Sequence, residues 1–212
     1  EAFSIAQGEG RNITTGNLGG LQYTTRIEML PFGNFTSKGD YSGGDLKREE
    51  NLKWALAASY DFNNNAVKNR SNQGSYMAND TGFYQTNIST LFVDTMLKYK
   101  GFSFMGEYAY RNAADPLAKN SDNSLTGDKV VTGNSLNLMS GYLFKNNWEF
   151  SGRYTNVTYD QFLGKGAENQ YTLGLSKYIA GHKLKIQSDI SYLDVVNKTN
   201  KLMYRLQVDI HF

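Results

Sequence analysis

The sequence predicts an all-β protein, a transmembrane antiparallel β-barrel. Three observations carry this expectation. Ten stretches of the chain alternate apolar and polar residues with a period of two, as strands do when their two faces meet different media. The connections between these stretches alternate between tight turns and long polar loops. When the tight turns are placed on one side, the aromatic residues fall into two rows, one near each rim.

The composition agrees. The 212 residues are 40% hydrophobic and 14% aromatic, with 15 Tyr, 21 Gly and only 2 Pro, which suits strands that meet membrane interfaces. No run approaches the roughly 18 consecutive apolar residues of a membrane helix. The mean hydropathy of −0.54 would by itself describe a soluble protein. Barrel strands give a weaker hydropathy signal, because every second residue faces a polar interior. The absence of Cys excludes disulfides and thiolate chemistry. A net charge of +2 favours neither nucleic acid nor a strongly acidic partner.

The predicted strands follow in order. Ala2–Gln7 runs into the turn-rich Gly8-Glu9-Gly10. Leu21–Pro31 sets Leu21, Tyr23, Ile27 and Met29 against Gln22, Thr24, Arg26 and Glu28. Leu52–Phe62 sets Trp54, Leu56, Ala58, Tyr60 and Phe62 against Lys53, Ala55, Ala57 and Ser59. Ile88–Tyr99 sets Leu91, Val93, Leu97 and Tyr99 against Phe92, Asp94, Met96 and Lys98. Phe102–Arg111 places Phe104, Gly106, Tyr108 and Tyr110 opposite Ser103, Met105, Glu107 and Arg111.

The second half repeats the pattern. Asn134–Phe144 carries Leu136, Leu138, Tyr142 and Phe144 on one face, and Trp148–Val157 sets Trp148, Phe150 and Tyr154 against Glu149, Ser151 and Arg153. Asn169–Ile179 offers Tyr171, Leu173, Leu175 and Ile179. Lys183–Val195 sets Leu184, Ile186, Ile190 and Tyr192 against Lys183, Lys185, Gln187 and Asp189. The last strand alternates back from Phe212 through Ile210, Val208, Leu206, Tyr204 and Leu202.

Lys100-Gly101, Lys145–Asn147 and Ala180–His182 are turns of the Gly/Asn type that hairpins favour. Gly8–Gly20, Asn63–Asn87, Asn112–Gly133, Thr158–Glu168 and Asp194–Asn200 are long and polar. Phe32–Asn51 breaks the rule, being long where a tight turn belongs. With Phe212 on the tight-turn side, Trp54, Tyr99, Phe102, Phe144 and Trp148 form one aromatic row. Tyr60, Tyr108, Tyr110, Tyr154, Tyr171, Tyr192 and Tyr204 form the other. Residues 1–212 read as a single barrel domain. The start within a strand, without a signal peptide, predicts that it is incomplete at its N-terminal side.

Two resemblances bear on identity. A terminal aromatic closing an alternating strand resembles the C-terminal signature of bacterial outer-membrane β-barrels, in which Phe212, Ile210 and Tyr204 would serve as an assembly signal. The stretches GLQYTTRIEMLPFG at 20–33, GDYSGGDLKREE at 39–50 and WALAASYDFN at 54–63 resemble the phosphate-selective porin O and P family, in its Bacteroidota form. The closing hairpins, around Gly141–Phe144 and Lys183–Asp189, look similar too. The resemblance spans essentially the whole chain, in the order of the family's C-terminal half. It implies a sixteen-stranded, usually trimeric diffusion pore in the outer membrane, passing small hydrophilic solutes and ions, with anions such as phosphate among them. It also implies that the constriction lies mostly in the half absent from this chain, so anion selectivity does not transfer residue by residue.

Chemistry on the polar faces is sparse. The basic candidates to line a pore are Arg26, Lys53, Lys98, Arg111, Arg153, Lys183, Lys185, Lys201 and Arg205, against Glu28, Asp94, Glu107, Glu149, Asp189 and Asp209. Near-balance of sign leaves two readings for each: a wall charge that sets ion preference, or an ion pair that ties neighbouring strands. Neither His182 nor His211 has the surroundings of a catalytic residue, so no enzyme is expected. Asp115, Asp122 and Asp128 in the Asn112–Gly133 loop offer oxygen ligands of the kind calcium takes, against the far commoner reading of solvated loop carboxylates; no cofactor is expected. The expected partners are outer-membrane lipid, small anions or other small solutes, and further copies of the chain. Inward Phe92, Met96, Met105, Met139 and Leu143 keep open a second reading, a filled barrel that conducts nothing.

Overall fold

The computed structural model describes residues 1–11, 13 and 18–211. Phe212, expected to carry the assembly signal, lies outside the described residues. Strands follow one another as β1 (Ala2–Gln7), β2 (Leu21–Met29), β3 (Lys53–Ala66), β4 (Lys68–Arg70), β5 (Gln73–Tyr76), β6 (Ala78–Asn79), β7 (Gly82–Phe83) and β8 (Thr86–Tyr99). Then come β9 (Phe102–Ala113), β10 (Leu117–Lys119), β11 (Leu125–Lys129), β12 (Gly133–Leu143), β13 (Trp148–Tyr159), β14 (Glu168–Tyr178), β15 (Leu184–Val195) and β16 (Lys201–Ile210). Two single-turn 3-10 helices, Gly39–Tyr41 and Gln161–Leu163, are the only helical segments among the described residues, and no helix is long and apolar enough to cross a membrane.

Ten strands join into one antiparallel sheet in the order β1-β2-β3-β8-β9-β12-β13-β14-β15-β16. All ten predicted strands are present. The largest differences lie at the long-loop end, where β3 runs past Phe62 to Ala66, β8 starts at Thr86 and β9 continues to Ala113. The long loops then fold into short hairpins of their own, β4–β5, β6–β7 and β10–β11, which periodicity could not reveal because they are too short to repeat a pattern. With the ends of β3, β8 and β9 they enclose a small core of Ala66, Met77, Ile88, Ala113, Ala118 and Val130, with Tyr84 against it.

The sheet has two unlike faces. Opposed residues keep parity across it: Val93 faces Tyr108 and Tyr108 faces Leu136, while Leu173 faces Ile190 and Ile190 faces Tyr204. This face stays uncovered, with Leu173 54% and Leu206 66% exposed. A sandwich would cover it with a second sheet, yet the other sheets among the described residues have two strands each. Nine of the ten sheet strands are 9 to 14 residues long. The aromatic rows fall where parity put them, with Tyr99 opposite Phe102 near the tight turns and Tyr154 opposite Tyr171, itself opposite Tyr192, toward the long loops.

The other face is polar and concave. Lys98 on β8 and Tyr178 on β14 are four strands apart, about 19 Å in a flat sheet. Both nevertheless reach Gly44: Lys98 donates to its carbonyl at 2.9 Å, and a Cβ on Gly44 would stand 2.8 Å from the Tyr178 hydroxyl. The sheet therefore curls toward its polar side. It is not closed by the described residues, since β1 pairs only with β2 and β16 only with β15.

The β8–β9 turn illustrates how local sequence sets the register. Lys100 and Gly101 both have positive φ, 49° and 89°, as a two-residue hairpin turn of matching twist requires. A Cβ on Gly101 would approach the Leu143 carbonyl to 2.7 Å, so space forbids it as well as conformation. Gly101→Val is expected to cost about 1–3 kcal/mol. The shift of the unfolding midpoint checks this; an unchanged midpoint would mean that the turn does not hold the hairpin.

Candidate functional site

The polar face and the segment crossing it form the candidate site. The connection 30–52, which joins β2 to β3, turns inward instead of closing a tight hairpin. Phe35, 5% exposed, packs with Ala55 and Met96 on the sheet, and Leu30 and Met105 flank it. A Cβ on Gly43 would stand 3.4 Å from the Met139 methyl, so Met139 lies directly beneath the segment. Three of the inward apolar residues noted in the sequence, Met96, Met105 and Met139, stand opposite one another on β8, β9 and β12 and seat this segment. The unexplained length of Phe32–Asn51 thus has a physical account: it is the length needed to lie across the concave face.

Polar anchors hold it there. The Lys98 ammonium donates to the carbonyls of Gly39 (2.7 Å), Ser42 (2.6 Å) and Gly44 (2.9 Å). Asp45 accepts from the backbone N–H groups of Glu49 and of Gly101 in the β8–β9 turn. Glu49 accepts from the N–H and hydroxyl of Thr36. Arg48 donates to the Phe144 carbonyl and the Asn147 side chain at the β12–β13 turn. Tyr178 donates to Glu149 at 2.5 Å beneath Gly44, whose missing Cβ would meet both Glu149 oxygens at 3.1 Å. Asp45, Arg48, Glu49 and Tyr178 were not foreseen. The polar parity of Tyr178 was the one signal that could have marked it; contacts of the segment depend on which strands curl beneath it.

Between the segment and the rim of tight turns lies a cavity of about 470 Å³, lined among others by Thr36, Asp45, Arg48, Lys98 and His182. Burial, and after it the charges of Lys185 and Lys98, hold His182 below the usual imidazole range. Its ring stands edge-on to Tyr178 at 5.6 Å.

The basic candidates are dispersed rather than gathered. Arg26 makes a two-pronged contact with Asp94 at 2.6 and 2.9 Å, and adds Glu28 at 3.0 Å and Ser59 at 3.1 Å. It reaches from β2 across β3 to β8 because small Ala57 and Ser59 lie between. Lys53 donates to the Phe32 carbonyl and so serves the segment. Arg111 donates to Thr90. Arg153 sits opposite Met139 and Thr172, its Nε without a partner among the described residues. Lys185 pairs with Asp209 at 3.0 Å, and Arg205 with Asp189 at 3.0 Å. Three of the candidates are thus ion-paired across strands.

Two expectations are corrected. Lys98 does not line an open surface: it is 2% exposed, and its charge is spent on backbone carbonyls. Lys183 does not lie on a strand face, because β15 begins at Leu184 and Lys183 is an exposed turn residue. Ile210 and Tyr204 lie on the uncovered apolar face, 58% and 68% exposed. Of the carboxylates considered for calcium, Asp115 pairs with Lys119 at 2.6 Å and Asp122 accepts from Ser124. Lys119 holds the Asp115 carboxyl below the usual carboxylate range. Among the described residues no three metal-binding side chains converge.

Comparison with protein-family models, with curated proteins and with solved structures finds no match. The chemistry of the site therefore rests on its own geometry.

Lys98→Met is expected to leave three carbonyls unpaired and to destabilise the segment locally by about 3 kcal/mol. Lys98→Arg should rescue only in part, since a planar fork cannot reproduce three converging bonds to one ammonium. Amide exchange across residues 36–45 measures this; protection unchanged in Lys98→Met would mean that the segment is held by its apolar contacts alone.

Proposed function

We propose that this chain forms part of an outer-membrane β-barrel porin, a passive channel for small hydrophilic solutes and ions. The observation that carries this reading is the ten-stranded sheet with one face apolar, uncovered and bordered by two aromatic rows, and the other polar and concave. In lipid every backbone N–H and C=O must be paired within the protein, so a spanning sheet has to close on itself. The free edges of β1 and β16 are then joined to further strands, which the described residues do not include. Nine of the ten strands reach the roughly 9–11 residues that a tilted strand needs to cross the hydrocarbon core. Tight turns on one rim and long loops on the other support the same reading. The likeness to phosphate-selective porins suggests anions among the solutes. Pairing of Arg26, Lys185 and Arg205 argues that this part of the wall adds little to such a preference.

A second reading, a barrel that conducts nothing, draws on the segment 32–51, which occupies the polar face near the tight turns. Planar-bilayer recording separates the two: stepwise current supports the channel, and a folded, inserted protein without current supports the structural role. Membrane placement has its own test. Val208, 54% exposed on the apolar face, becomes costly to charge in lipid, by about 2–4 kcal/mol near the midplane. Val208→Arg is therefore expected to block heat-modifiable folding into lipid vesicles. Normal assembly of that variant would show that this face does not meet hydrocarbon.

A further inference from the structure

One aromatic ring stands open on the polar face. Phe92 on β8 is 40% exposed, between Ser59 on β3 and Ala109 on β9, whose small side chains leave the ring uncovered. Three cavities meet at it. Toward the long loops, one of about 400 Å³ is lined by Asp61, Arg70, Asn72, Gln73 and Arg111. Toward the tight turns, another of about 480 Å³ is lined by Arg26, Asp94, Glu107 and Asn137. A third, of about 230 Å³, adds Tyr159 as a second aromatic wall.

Two features decide what chemistry fits. The first is charge: Arg26, Arg70 and Arg111 face Asp61, Asp94 and Glu107, three against three. A balanced set gives no net field to concentrate a phosphate or a polyamine. The second is shape and bonding. Guanidinium, carboxylate and amide groups are planar and can take two neighbouring hydroxyls at once. Several have bonding capacity left. Arg70 and Gln73 make no side-chain hydrogen bond among the described residues, and Arg111 uses only its Nε. An exposed ring offers a negative π-face to weakly positive C–H groups. A ligand with an apolar C–H face and a rim of neutral hydroxyls satisfies all of these, and a pyranose ring has both.

The geometry points to a saccharide station: a neutral sugar ring stacks on Phe92 while its hydroxyls bond to the polar groups on either side. This rests on the channel reading for its role in passage, since the station would make neutral oligosaccharides a solute class of the pore. Binding itself does not need conduction, and the two can be measured apart.

The test uses the full-length protein, in micelles for calorimetry and in planar bilayers for current, with maltohexaose as the probe. Saturable binding is expected, with reversible block of the current. Phe92→Ala should weaken binding about tenfold, a difference of roughly 1.4 kcal/mol, while Phe92→Trp should retain it. The double variant Arg70→Ala, Gln73→Ala, confined to the β4–β5 hairpin, tests the station should Phe92→Ala fail to fold, and should weaken binding several-fold. Inorganic phosphate and spermidine should not compete. Absence of saturable maltohexaose binding overturns the inference, as does unchanged affinity in both the Phe92→Ala and the double variant, or displacement by phosphate or spermidine. A protein that passes no current yet binds maltohexaose through Phe92 would end the channel reading and leave the station standing.

Discussion

Everything in this structure depends on strand register. Side chains alternate strictly along a strand, so a slip of one residue between any two neighbours would send an apolar row to the polar face and a charged row to the apolar one. Here parity is kept over nine successive pairings, from β1 to β16. The tight turns enforce it from one end, where positive φ at Lys100, Gly101 and Asn147 fixes the hairpin geometry. Side chains enforce it from within: Arg26 meets Asp94 two strands away only if three strands are aligned. The polar contacts thus align the sheet, and the alignment makes the apolar face continuous.

The concave face shows how a polar wall accommodates a crossing segment. An ammonium as deeply buried as that of Lys98 is costly unless its hydrogen-bonding capacity is filled. Three backbone carbonyls fill it, and the same bonds satisfy the acceptors of a segment that has no strand partner of its own. Asp45 does the converse, accepting backbone N–H groups from the segment and from the β8–β9 turn. Apolar seating by Met96, Met105 and Met139 supplies non-directional contact beneath them, a role suited to flexible, polarisable thioethers. The segment is consequently anchored to the tight-turn rim. The Phe92 region lies on its long-loop side.

Electrostatics on the wall is local. Charges on neighbouring strands pair where register sets them opposite, as in Lys185–Asp209 and Arg205–Asp189. Such pairs are partly exposed and contribute little to stability each. Their larger effect is to cancel the field that an unpaired row would project, over a Debye length of roughly 8 Å at physiological salt. Net charge along this face is therefore small, and shape and hydrogen-bonding groups are what set the Phe92 region apart.

The sequence by itself determined the ten strands, their faces and their turns, because period-two alternation and Gly/Asn turn chemistry are local properties, readable a few residues at a time. It also set the parity of Arg26 and Arg205, though not the position of Lys183, which falls in a turn. The course of Phe32–Asn51, the burial of Lys98 and the meeting of Arg48, Asp45 and Tyr178 with partners far along the chain were decided only by tertiary structure. These contacts join residues separated by dozens of positions, and they exist because the sheet curls. Curvature brings β8 and β14 to one glycine, and no pattern within a single strand records it. The same holds for Phe92: alternation placed it on the polar face, but the small neighbours and facing cavities that leave its ring open come from three adjacent strands and a hairpin in the loops.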